Sequence, residues 1–142
     1  MSPYFLAVDI GASSGRHMLG HLEKGRLVLE EIYRFENGMK QTKEGLCWDI
    51  PALFQEIKTG IRRCGELGKI PVSMGIDTWA VDYVLLDEQD QILGDTFGYR
   101  DSRTAGMDEE VYRLIPEKEL YQRTGIQKQI FNTVFQLMAV KK

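Results

Sequence analysis

Between residues 9 and 16 the chain reads Asp9, Ile10, Gly11, Ala12, Ser13, Ser14, Gly15, Arg16: a carboxylate, two glycines, two hydroxyls and a guanidinium in one short stretch. Gly11 and Gly15 can adopt positive φ without a Cβ clash. The spacing therefore predicts a turn whose successive backbone N–H groups converge on one point as an anion nest. Ser13 and Ser14 add hydroxyl donors. Asp9 would repel a phosphate a few Å away by about 4 kcal/mol at an effective dielectric near 20. A magnesium ion between them, bound directly or through its waters, reverses that sign. The chemistry such a turn suits is nucleotide phosphate binding, with Asp9 on the metal side. A hairpin whose turn is merely polar is the alternative that the octet alone leaves open. Two common phosphate loops are excluded. A P-loop needs GxxxxGK[ST] opening a helix, and a dinucleotide fingerprint needs GxGxxG, whereas this turn carries no Lys, has only GxxxG and leads into another strand.

A second candidate group begins at Asp77 and continues through Thr78, Trp79, Ala80, Val81 and Asp82. A tryptophan among small residues, directly after an apolar strand, predicts a loop able to read a small polar ligand.

The elements that position these groups follow from periodicity. Residues 4–10 are nearly continuous apolar, residues 16–23 and 26–35 partly alternate, and Lys24-Gly25 makes a turn between the latter two, which gives a three-stranded antiparallel meander. Asp49 then serves as N-cap with Pro51 in the first turn. Leu53, Ile57, Ile61, Cys64 and Leu67 recur at helical spacing, and Gly68 stops the helix. A buried strand is expected to end at Asp77, followed by a hairpin turning through residues 87–90 and a loop. Helical pieces around residues 108–115 and 116–125 precede a last helix capped by Asn132. The order βββαβ with further helices predicts an α/β mixed sheet with flanking helices. Asp9 and Asp77 both fall at carboxyl ends of strands, where ligands of such sheets gather.

Other residues suggest less. His17 and His21 have the spacing of a helical metal pair, but on a strand rising about 3.3 Å per residue they lie roughly 13 Å apart, too far to share a zinc. They are expected to be solvated. Trp79 and Tyr83 read as half-buried hairpin aromatics. Asp101 between Arg100 and Arg103 reads as a surface ion-pair cluster worth little energy. Cys47 and Cys64 form neither a CxxC pair nor a disulfide framework, and both are expected in the core of a cytoplasmic protein.

Composition bounds the function. The chain has 142 residues, 43% of them hydrophobic and 27% charged, with a net charge of -3, enough apolar side chains for one core in one domain. The acidic balance without a run of Lys or Arg argues against nucleic acid and against anionic membrane surfaces. No N-terminal stretch reads as a signal peptide or membrane span.

Residues 9–16, together with the stretches 75–87, 99–104 and 121–139, resemble in order the N-terminal part of the FGGY carbohydrate kinases. The Asp-Thr-Trp-x-Val-Asp run points to the branch that phosphorylates L-rhamnulose. The resemblance implies a ribonuclease-H-like (actin-like ATPase) fold, two such domains closing on ATP, Mg2+ and a ketose, with the γ-phosphoryl group passing to the 1-hydroxyl. It implies that Asp9 sits by the metal, that Gly11, Ala12, Ser13, Ser14, Gly15 and Arg16 meet the ATP phosphates, and that Asp77, Thr78, Trp79, Ala80 and Val81 read the sugar. Ala80 matches a sugar-contact position where the members most like this chain commonly carry Gly; a backbone contact would survive the change. The family's general-base aspartate and adenine site lie further downstream than this sequence runs. The expectation is therefore the front portion of a truncated first domain, inactive alone and able to self-associate through exposed apolar surface. Two other classes remain as alternatives. One is a two-metal nuclease on the same core, using Asp9, Glu56 and Asp77; the other is a non-catalytic binding module.

Overall fold

A computed structural model describes residues 2–141, which divide into two compact units. The first is built from residues 2–38 and 49–80, the second from residues 39–48 and 81–141.

In the first unit, β1 (Tyr4–Ile10), β2 (Ser14–Glu23) and β3 (Arg26–Glu36) form the expected meander. Lys24 and Gly25 turn the β2–β3 hairpin with φ of 49° and 76°, as a primed turn requires. Helix α1 (Ile50–Glu66) starts where Asp49 accepts the Ala52 N–H at 3.0 Å. It ends in a Schellman motif, with Lys69 N–H on the Cys64 carbonyl, Gly68 N–H on that of Gly65, and Gly68 at φ 66°. Strand β6 (Pro71–Thr78) then pairs parallel with β1, giving a mixed sheet of order β3-β2-β1-β6. Alternation along β1 sends Leu6, Val8 and Ile10 to one face, where they pack with Leu19, Phe35, Cys64, Leu53 and Ile57. Asp9 belongs to the opposite face.

Two expectations are corrected here. Strand β6 is an exposed edge rather than a buried strand, with Val72 68% and Ile76 52% exposed. Among the described residues it pairs with β1 alone, while α1 packs over β2 and β3, and its apolar row stays exposed. His17 is fully buried rather than solvated. It shares the inner face with Gly15 and Leu19, and its Nε2 lies 3.1 Å from the Ile57 carbonyl. Burial pushes its pKa below the usual imidazole value. His21 is half-buried beside the Tyr4 ring.

The second unit holds a small sheet of order β4-β5-β7, made of β4 (Met39–Gln41), β5 (Leu46–Trp48) and β7 (Thr96–Phe97), which periodicity does not announce. Leu86 and Ile92 bridge around the expected residue 87–90 turn. Helices α2 (Met107–Leu114), α3 (Glu117–Thr124) and α4 (Thr133–Lys141) follow, and Met107, Val111 and Phe135 form their core. The expected cluster does not form, because among the described residues Asp101 makes no ion pair. Its carboxylate accepts Leu46 N–H at 2.7 Å and caps the 3-10 turn at Arg103 N–H, 2.8 Å. Cys47 and Cys64 are buried free thiols, as expected, and burial raises both pKa values.

Candidate functional site

Strand β1 delivers Asp9 one residue before its end, and antiparallel pairing sets Arg16 of β2 directly across from it. Arg16 Nε and Nη2 both reach Asp9 Oδ2 at 2.8 Å, with each side chain 47% exposed. An ion pair so open to water is worth at most about 1 kcal/mol, so its value lies in placing charge rather than in holding the fold.

On the other side of β1, Asp77 of β6 stands in parallel register with Asp9. Partners in register share a face and neighbouring strands lie about 4.8 Å apart. Carboxylates as close together as the strands themselves would repel by about 1 kcal/mol in bulk water and about 3 kcal/mol at an effective dielectric of 20. Arg16 offsets part of that. Asp77 Oδ1 accepts the Thr78 N–H at 3.0 Å, which fixes the direction of its carboxylate at the strand end.

Between Asp9 and Arg16 runs the predicted turn. Gly11 N–H donates to the Ser14 carbonyl at 2.9 Å. Asn37, just past β3, closes the turn from outside: its N–H meets the Ser13 carbonyl at 3.0 Å and its Nδ2 the Gly11 carbonyl at 2.9 Å. The glycines are needed here, but not for positive φ, which neither adopts. A Cβ on Gly11 would sit 2.9 Å from the Ser14 carbonyl, and one on Gly15 2.1 Å from the Phe35 ring. The nest argument is corrected accordingly: close approach, not left-handed backbone, demands glycine at both positions. Among the described residues, the amides of Ala12 and Ser13 and the hydroxyls of Ser13 and Ser14 donate to no protein group. Paired carboxylates, a guanidinium and unspent donors in one turn fit a magnesium-bound phosphate, since Mg2+ takes one or two carboxylates and leaves its other positions to water and phosphate oxygens.

Beyond Asp77, Thr78 and Ala80 are exposed and Trp79 is half-buried against the first unit's core. Val81 belongs to the second unit. It is a β-branched residue at φ 71°, and its carbonyl accepts Thr133 Oγ1 at 2.7 Å and Gln136 Nε2 at 3.3 Å. Asp82, next in the motif, is a strut. It accepts Trp48 Nε1 at 2.7 Å and Tyr99 N–H at 3.2 Å on Oδ2, and Gln136 Nε2 at 3.0 Å on Oδ1. A cavity of about 800 Å³ in this unit has Val81, Thr133, Leu120, Tyr121 and Phe135 on its wall. Asn37 carries no motif in the sequence, and although Thr133 and Gln136 lie in the stretch 121–139 that resembles the family, their partners are set by long-range folding.

The two-metal nuclease arrangement does not form. Glu56 lies on α1, across the sheet from the face that carries Asp9, and its carboxylate accepts the Tyr33 hydroxyl at 2.5 Å. No group of three His, Cys, Asp or Glu among the described residues could hold a metal ion. No helix among them is long and apolar enough to cross a membrane.

Comparison with known proteins identifies the family. The N-terminal domain of the FGGY family of carbohydrate kinases matches residues 4–142. A rhamnulokinase from Halalkalibacterium halodurans is 57% identical over 139 residues, covering 98% of this chain and 30% of that protein. One from Bacillus subtilis is 46% identical, covering 94% and 27%. The chain thus spans about 30% of the length of the curated relatives it matches. Among solved structures, gluconate kinase from Lactobacillus acidophilus superposes with a TM-score of 0.76 at 14% identity, over 100% of this chain and 29% of that one. Plasmodium falciparum glycerol kinase with ADP gives 0.73 at 12%, over 96% and 28%. At such identities these two share the fold. With its mixed sheet, its Asp9 turn and a family match running almost end to end, the chain belongs to the FGGY family of carbohydrate kinases, within the N-terminal domain.

Proposed function

We propose that the chain is the front portion of the first actin-like domain of a cytoplasmic, ATP-dependent ketose kinase that phosphorylates the 1-hydroxyl of L-rhamnulose. The observation that carries this reading is the in-register pair Asp9 and Asp77 beside a turn with unspent donors. The rhamnulokinase names of the curated relatives support the choice of sugar.

In this reading the amides of Ala12 and Ser13, the hydroxyls of Ser13 and Ser14, and the Arg16 guanidinium hold the ATP phosphates, while Gly11 and Gly15 keep the turn close. Asp9 takes the metal side, and Mg2+, when bound, supplies the charge neutralisation that a phosphoryl group near a carboxylate needs. Asp77, Thr78, Trp79, Ala80 and Val81 face the sugar. Phosphoryl transfer of this kind rests on positioning and electrostatics rather than on a protein nucleophile. Removal of the sugar proton is assigned to an aspartate outside this chain, because Asp82 is committed to three hydrogen bonds within its own unit. Without that base, which typically contributes about 10²–10⁴-fold, and without a second lobe to exclude water, the chain binds ATP-Mg feebly and does not turn over. The bare apolar row of β6 disposes it to self-association.

A coupled ADP-release assay with L-rhamnulose, run on this chain and on one extended to the relatives' full length, tests the proposal. Sugar-dependent release is expected from the longer chain alone. Robust release by the 142-residue chain would overturn the placement of the base, and no release with L-rhamnulose from the longer chain would overturn the sugar.

A further inference from the structure

Val81 stands out in the second unit because its backbone is left-handed, φ 71°, without a glycine to permit it. For a β-branched side chain that region is a steric outlier, and such a residue persists only when its surroundings over-determine it. The surroundings are explicit. Thr133, the first residue of α4, donates its Oγ1 to the Val81 carbonyl at 2.7 Å, and Gln136, one turn later, adds Nε2 at 3.3 Å.

Gln136 is itself held. It is 1% exposed, its Oε1 accepts Arg103 Nη2 at 3.0 Å, and its Nε2 also faces Asp82 Oδ1 and the Phe131 carbonyl, each at 3.0 Å. Arg103 in turn lies over the Phe97 ring, 4.3 Å from its centroid. A buried amide with every partner placed has one orientation to adopt, so the Val81 carbonyl meets two donors whose own positions are fixed. The amide N–H of Val81, by contrast, donates to no group among the described residues. With the carbonyl pinned and φ set, the direction of that N–H is set as well.

We propose that Thr133 and Gln136 are positioning residues for the sugar: they clamp the Val81 carbonyl, hold the valine left-handed and so present its unspent N–H to a ketose hydroxyl. The inference rests on the reading of residues 77–81 as the sugar-contacting stretch. It adds that this contact is made by backbone, in a conformation stored by α4. The strain is the working part. Val81 would relax to negative φ if the clamp let go, and its N–H would turn away.

The test uses the 142-residue chain, labelled for NMR, as wild type, Thr133→Val and Thr133→Ser. A residue with positive φ brings its own amide proton and Hα close together and gives a strong intraresidue cross-peak. That peak at Val81 is expected in the wild type and in Thr133→Ser, which keeps the hydroxyl, and is expected to be lost in Thr133→Val, which keeps the shape. L-rhamnulose titrated to high millimolar concentration is expected to move the Val81 amide signal in the first two proteins and not in the third. Val81→Gly, which removes the strain, should raise the melting midpoint by a few degrees and make Thr133→Val less damaging in its background. An unchanged Val81 cross-peak in Thr133→Val would overturn the clamp. A lost cross-peak with an undiminished sugar response would overturn the positioning role. No response of Val81 to the sugar in the wild type would overturn the sugar-contact reading and the positioning role together, a result separable from failure of the clamp because the cross-peak is read without sugar.

Discussion

The imidazole of His17 fills the space that a side chain on Gly60 would need: a Cβ there would lie 2.3 Å from three atoms of the ring. Strand β2 and helix α1 therefore approach as closely as they do because one carries a flat ring and the other carries nothing. Gly60→Ala gains up to about 1 kcal/mol of helix propensity, against an overpacking cost of about 1–3 kcal/mol. A lower urea midpoint with an unchanged m-value is expected, and a more stable variant would show that the ring has room to move.

The same histidine sets a pH dependence. Burial lowers its folded pKa below the usual imidazole value of 6.5, more strongly than the Ile57 carbonyl and the Glu56 charge raise it. The unfolded chain then binds the proton more readily than the folded one. His17 contributes stability above its unfolded pKa, and that contribution drains away as pH falls below 6.5 towards the folded pKa. Melting midpoints should fall on acidification through that window, and the slope should flatten in His17→Gln. An equal slope in the variant would assign the effect to other groups.

Asp9 is expected to matter to ligand far more than to the fold. Asp9→Asn breaks a half-exposed ion pair with Arg16, costing at most about 1 kcal/mol, and relieves repulsion with Asp77. ATP-Mg added to the chain should shift the Ala12 and Ser13 amide signals, and the variant should need about tenfold more ligand or beyond, equivalent to about 1.4 kcal/mol. Equal losses in stability and binding would make Asp9 structural.

Strand β6 predicts how copies of the chain meet. Two β6 strands paired antiparallel about Met74 would set Val72 against Ile76 and keep both apolar rows on one face. Sedimentation should show concentration-dependent dimers, and Met74→Lys, a charge of the kind natural edges use, should abolish them. A wild-type chain that stays monomeric at high concentration would rule the edge out.

What the sequence made legible was local chemistry. Lys24-Gly25, the Asp49 cap with Pro51, and Gly68 each fix a boundary through backbone needs met within a few residues, and each falls where expected. The three short strands of the second sheet left no trace, because two or three residues have no period, and Trp48 finds Thr96 only after the chain has folded. The apolar run of β6 announced a strand but not its burial, which depends on what lies beside it. Gly11 and Gly15 were the right residues for the wrong reason: the Phe35 ring that excludes a side chain at Gly15 is twenty positions away. His17 went the same way, since nothing near it in the chain announces Gly60. At the site, Asp9 and Asp77 were legible as strand ends, whereas Asn37, Thr133 and Gln136 act across distances that no motif spans.

The parallel pairing of β1 with β6 also dictates an order of events when the protein is made. The β2–β3 hairpin closes through a two-residue turn, a microsecond matter, but β1 cannot acquire its second neighbour until β2, β3 and α1 have all left the ribosome and residues 71–78 have followed. Through that interval the strand bearing Asp9 has one bare edge, and the late, long-range closure onto β6 is the step that loop entropy slows. In pulse-labelled refolding, amides shared by β2 and β3 should gain protection before those shared by β1 and β6, so the carboxylate pair comes together last.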